Sequence, residues 1–297
     1  MLEWLLVPFE VSFVRRALLA GLLVSLVCAL VGTWVVLRGM AFLGEAMSHG
    51  LLPGVALASL TGQSVLLGAA VSAGVMAGGV ALLGRSRLVS RDTAIGLLFV
   101  GMLSIGVIIV SHSDSFAVDL TGFLFGDVLA VGPSDLWQLA IALGIAAVVS
   151  LLGHRAFVAL AFDPRKARTL GLRPAVAHAV LLALVTLAIV ASFRVVGTLL
   201  VFGLLIAPPA AAVLWARRVG TIMLGAAVVG SVSTVAGLVV SWHAGTAAGA
   251  TIAAVAVSLF FVSALASHVR GRLSTRTAAT APVAEDEKVG SCQYADR

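Results

Sequence analysis

The chain has 297 residues, 61% of them hydrophobic and only 11% charged, with a formal net charge of +6. Soluble domains average roughly 45–50% apolar and about 25% charged residues, so the composition excludes an ordinary soluble protein and fits one that crosses a membrane several times. The basic residues lie between apolar runs, where they set topology and do not point to nucleic acid, and the ten-residue alternating strands of a membrane barrel do not occur.

Nine apolar segments follow one another, at residues 17–37, 46–60, 65–83, 94–110, 136–152, 175–192, 197–214, 221–242 and 249–266. The expected fold is all-α, a polytopic membrane protein of about nine transmembrane helices, or eight if one segment is re-entrant. MLEWLLVPFE at the start carries acids where a secretory leader carries bases, so no cleaved signal is expected. Cys28 and Cys292 suggest no disulfide framework.

The stretch LGEAMSHGLLPG, residues 43–54, leads into the second segment. Glu45 and His49 are the only ionisable side chains between Gly39 and Gly84. Charge and polarity are costly to keep inside a membrane span. Four residues apart on a helix, the two side chains share one face. Carboxylate oxygen and imidazole nitrogen both bind zinc and other first-row divalent ions. One chain offers two such ligands, and a symmetric dimer meeting around a pathway would offer four. Protonation of His49 would remove a ligand, because only neutral imidazole coordinates. The plainer alternative is a Glu–His hydrogen bond that joins two helices. Gly44, Gly50, Pro53 and Gly54 favour function, since they suggest irregular backbone or close helix approach beside the pair.

Further along, Arg85, Arg87 and Arg91 follow the third segment. The loop at 111–135 is acidic, with Asp114, Asp119, Asp127 and Asp135 and no Lys or Arg. Basic loops return at 155–173, at Arg217 and Arg218, and at Arg270, Arg272 and Arg276. The basic side is read as cytoplasmic, which puts the C-terminus inside and the N-terminus outside, against the vote of Arg15 and Arg16. His112 and Asp114 in the outer loop, and His243, read better as solvated residues than as metal ligands. His154, His178 and His268 lie near cytoplasmic ends, where they snorkel or pack.

AFDPRKARTLGLRP, residues 161–174, is basic and lies between apolar spans. Asp163 suits a helix cap, Pro164 its first position and Gly171 its end, so Asp163, Pro164, Ala167, Leu170 and Gly171 outline a short surface helix able to dock a soluble partner. The alternative is an ordinary topology-setting loop. VVGTLLVFGLLIAPPAAA, residues 195–212, carries Pro208 and Pro209 among small residues, which suits either a gate or a kinked packing helix. A membrane domain of residues 1–267 is followed by a polar, mixed-charge tail at 268–297 that reads as cytoplasmic and disordered. There is no GxxxxGK[ST] loop, no HExxH and no GxSxG, so neither ATP hydrolysis in that manner nor hydrolytic chemistry is expected of this chain.

Taken in order, VGTWVVLRGMAFLGEAMSHGLLPGVALA, SRDTAIGLLFVGMLSIGVIIVS, DLTGFLFGDVLAV, AFDPRKARTLGL, VVGTLLVFGLLIAPPAAA and GLVVSWHAGTAAGATI make residues 12–267 similar to the permease subunit of the metal-type ATP-binding-cassette importers for zinc and manganese. The resemblance implies a bacterial-type cytoplasmic membrane protein, paired as a homodimer. It also implies two cytoplasmic ATP-binding subunits and an extracytoplasmic metal-binding protein as partners. It implies that Glu45 and His49 line the metal route, that the stretch from Asp163 to Gly171 couples to the ATPase, and that the fold resembles a cobalamin-importer permease lacking its first span. No permanently bound cofactor is expected, and the cargo would be Zn2+ or Mn2+. Zinc is the first expectation, with manganese or iron as alternatives. A gradient-driven secondary transporter using the pair as a proton relay, or a scaffold in which the pair is structural, are the readings from other classes. The chain departs from the family in carrying Glu45 where Asp is common, and GTAAG at 245–249 where an acid and Pro-Ser-Gly are usual.

Overall fold

The computed structural model describes residues 11–83, 90–111, 130–162 and 173–279, together with residues 8, 126 and 128. All regular structure among them is α-helical. The helices are α1 (Ser12–Leu37), α2 (Ala41–Gly50), α3 (Leu52–Leu60), α4 (Val65–Leu83), α5 (Arg91–Ser111), α6 (Pro133–Leu152), α7 (His154–Phe162), α8 (Pro174–Val213), α9 (Val219–Ala244) and α10 (Ala248–Ala279).

Helix α1 is the central post. Ala17, Ala20, Val24, Cys28, Val31 and Val35, spaced three and four apart, are buried against α8, α9 and α6. Small residues let the backbones approach closely: a side chain at Gly32 would meet the Leu205 carbonyl at 2.0 Å, and one at Gly21 would meet Thr234 at 2.5 Å. Where α1 crosses α9, the buried Ser25 and Thr234 hydroxyls pair with each other, 2.8 Å apart. Outward faces carry Leu67, Val71, Leu97, Val100, Leu151 and Leu152, all exposed, as expected of surfaces that meet lipid tails.

Seven helices among the described residues are long and apolar enough to cross a membrane, against nine expected segments. Two departures account for the difference. The second segment is divided into α2 and α3, each too short to span alone. The sixth and seventh are joined as the 40-residue α8, which is broken at Gly197 (φ 74°, ψ 161°). A straight helix of that length would run about 60 Å, twice the roughly 30 Å hydrocarbon layer. The break reverses the chain. Arg38, just past the end of α1, meets His178 near the start of α8. Beyond the break, Cys28 meets Val201 and Gly32 meets Leu205, so the second half of α8 climbs back alongside α1 in the same direction. Gly126 of the acidic loop packs directly on this reversal, and a side chain there would meet the Gly197 nitrogen at 2.2 Å.

At the other end of the bundle, Arg38 and His178 sit near Trp34, whose ring makes edge contacts with His154 (5.6 Å) and Phe157 (5.3 Å). Two of the histidines expected near the ends of spans, His154 and His178, lie together at this end, His154 exposed with its ring against Trp34 and His178 half-buried against Arg38. Helix α10 continues to Ala279, past the domain boundary at 267 drawn from composition.

Candidate functional site

The Glu45–His49 pair stands on α2, just after the turn in which Gly39 adopts φ 63°. His49 Nε2 donates to Glu45 Oε1 at 2.9 Å. In the single chain their side chains remain 25% (His49) and 32% (Glu45) exposed. A carboxylate and an imidazole exposed to this degree would be costly against lipid, and such groups ordinarily face a water-filled path or a partner. Phe99 of α5 closes one side, its ring 5.7 Å from the His49 ring and 5.9 Å from that of Phe42. The imidazole is thereby steadied by an aromatic edge, while its polar atoms stay on the open side.

The back of α2 is fixed by glycine. A side chain at Gly44 would meet Leu205 at 3.0 Å and Phe202 at 3.6 Å, so α2 leans on the second half of α8. Immediately after His49 the helix is interrupted, for two physical reasons. Pro53 has no N–H to give to the His49 carbonyl. One residue on, the Ser72 hydroxyl of α4 inserts into the ladder, donating to the Gly50 carbonyl at 2.7 Å and accepting from the Gly54 N–H at 3.3 Å. In a continuous helix those two backbone groups would bond each other. Gly54 and Gly68 permit the approach, since a side chain on either would meet the other's carbonyl at 2.1 or 2.2 Å. His49 thus sits at the end of a short helix whose next turn is pinned to α4.

Of the other residues singled out in the sequence, Asp163, Pro164, Ala167, Leu170 and Gly171 lie outside the described residues, as do His112 and Asp114. Pro208 and Pro209 are buried in helix packing, Pro208 against the Gly230 position of α9 and Pro209 against Gly32 of α1. His243 is exposed and its ring Nδ1 donates to the Val239 carbonyl at 2.9 Å, in keeping with a surface role. Among the described residues no group of three or more His, Cys, Asp or Glu side chains converges on a point where one ion could sit. Glu45 and His49 are the two such side chains that stand together on α2. Ser72 and Phe99 escaped the sequence reading: Ser72 lies in no quoted stretch, Phe99 lies in one without a role assigned to it, and only the packing of α4 and α5 on α2 brings them to the pair.

Comparison with known proteins follows the same outline. Residues 10–267 match the ABC 3 transport family. The chain is 34% identical over 268 residues to the manganese transport system membrane protein MntC of Listeria monocytogenes, covering 90% of this chain and 95% of the relative. It is 34% identical over 263 residues to the chelated iron transport system membrane protein YfeD of Yersinia pestis, covering 89% of this chain and 88% of the relative. Among solved structures, PsaBC from Streptococcus pneumoniae in complex with Fab superposes with a TM-score of 0.79 at 30% identity, covering 89% of this chain and 95% of the other.

Proposed function

Because this chain belongs to the ABC 3 transport family, we propose that it is the membrane permease of an ATP-driven importer whose cargo is manganese or iron(II), passed across the Glu45–His49 pair. It is a transport subunit and not an enzyme, and ATP is hydrolysed on a separate chain. The observation that carries the proposal is a half-exposed carboxylate and imidazole, 2.9 Å apart, on a broken helix within an apolar bundle. Two protomers related by a twofold axis would supply two oxygens and two nitrogens, with water completing the shell.

Zinc was the first expectation from donor type alone, but the relatives' names speak of manganese and iron. The chemistry agrees with them. Manganese and ferrous iron stand at the weak end of the divalent affinity order, and manganese favours octahedral oxygen-rich shells. Four donors would also close a tetrahedral zinc shell, which holds its ion firmly, whereas an octahedral ion keeps exchangeable water. A carboxylate and a neutral imidazole are the forms that coordinate, so the hydrogen bond between Glu45 and His49 gives way when the ion binds.

The remaining assembly follows from the resemblance: two ATP-binding subunits docked on the basic end of the bundle through the segment from Asp163 to Gly171, and an extracytoplasmic protein delivering the ion. The test is metal content of cells lacking their own importer and supplied with manganese, iron and zinc separately. Manganese or iron accumulation should fall to background in Glu45→Ala and His49→Ala while membrane levels of the protein persist. Undiminished uptake by both variants would remove the pair from the route.

A further inference from the structure

A second polar site lies at the end of the bundle where α8 passes into α9. The chain turns tightly there, with the Leu214 and Trp215 amides bonded to the Ala211 and Ala212 carbonyls. This turn and the end of the α10 span enclose a groove of about 530 Å³, lined by Leu214, Trp215, Arg217, Ser267 and Arg270 among others. Trp215 Nε1 donates to Ser263 at 2.5 Å. The Arg270 guanidinium lies over the Trp215 ring, 5.7 Å from its centroid. At this distance the ring face attracts the guanidinium, whose N–H groups can still serve an anion. Both charged side chains lining the groove are cationic, and no carboxylate lines it.

The position decides the occupant. Candidate spans end at Val213 and Arg270 on either side of the groove, which sets it at a membrane–water boundary, and Trp215 is the amphipathic residue favoured there. Leu214, which lines the groove, is itself exposed toward the hydrocarbon side. A free phosphate would use only the arginines. A phospholipid would use the arginines and keep its acyl chains in the adjoining hydrocarbon.

We propose that this groove binds an anionic membrane phospholipid, its phosphate held by Arg217 and Arg270 and its acyl chains passing Leu214 into the hydrocarbon. The Trp215–Ser263 bond holds the ring that orients Arg270, so Trp215 is a positioning residue here.

The full chain, purified and placed in phosphatidylcholine nanodiscs, is titrated with phosphatidylglycerol, and bound lipid is read by native mass spectrometry. Phosphatidylglycerol should be retained over phosphatidylcholine. Arg217→Gln and Arg270→Gln should each weaken retention about fivefold, the effect of one cationic side chain at a membrane surface. Arg217→Lys should weaken it less, and millimolar inorganic phosphate should not displace the lipid. Unchanged retention by the double Gln variant, equal retention of phosphatidylcholine, or displacement by inorganic phosphate would each overturn the proposal.

Discussion

Ser72 offers a residue-scale test, because it reaches the metal pair only through backbone. Its hydroxyl holds Gly50 and Gly54 apart from their own hydrogen bond. Ser72→Ala either lets the ladder close, straightening the helix beyond His49, or leaves a buried carbonyl and amide unpaired at about 1–3 kcal/mol. Both outcomes shift His49 relative to its neighbours. We expect manganese uptake to fall severalfold more than membrane protein level, measured on the same cells. Glu45 and His49 were legible in the sequence because i, i+4 spacing on a helix fixes their proximity without tertiary knowledge. Ser72 was not, because helical hydroxyls ordinarily bond their own i−4 carbonyl, as Ser48 does to Gly44 and Ser25 to Gly21. Nothing local marks the one that reaches across.

At the scale of elements, glycine decides where helices break and cross. Gly197 holds a backbone conformation that is essentially confined to glycine. Gly197→Ala should cost about 1–3 kcal/mol and loosen the reversal on which Gly126 packs, seen as a lower melting temperature of the purified chain. Gly54→Ala should drive α3 from α4, because its methyl would stand 2.1 Å from the Gly68 carbonyl. It should lower stability and uptake together, whereas Glu45→Ala lowers uptake alone. The broken second segment was readable from Gly50, Pro53 and Gly54, and the end of the sixth segment fell within a few residues of the true reversal. What the pattern could not give was direction: hydropathy is blind to whether two adjoining apolar stretches continue or fold back. The packing of Gly32 on Leu205 answers that. The division at 267 was likewise drawn from composition, yet polar residues extend a helix readily when its preceding turns are anchored.

For the whole molecule, the half-exposed pair is an argument for assembly. Among the described residues the proposed route has two donors, Glu45 and His49, on a face left partly open. A dimer that closes this face converts a costly exposure into a pathway. Uptake should accordingly require the ATP-binding subunits. Proteoliposomes with the permease alone should take up no manganese under a proton gradient, and those with the complete importer should do so with ATP and resist an uncoupler. Gradient-driven uptake by the permease alone would favour a secondary transporter.

The most direct measurement is X-ray absorption at the manganese edge on the manganese-loaded importer in nanodiscs. The account predicts an oxygen- and nitrogen-ligated ion with the scattering signature of imidazole, lost in His49→Ala while the assembly stays intact. A spectrum of fully hydrated manganese, or an imidazole signature that survives in His49→Ala, would contradict it.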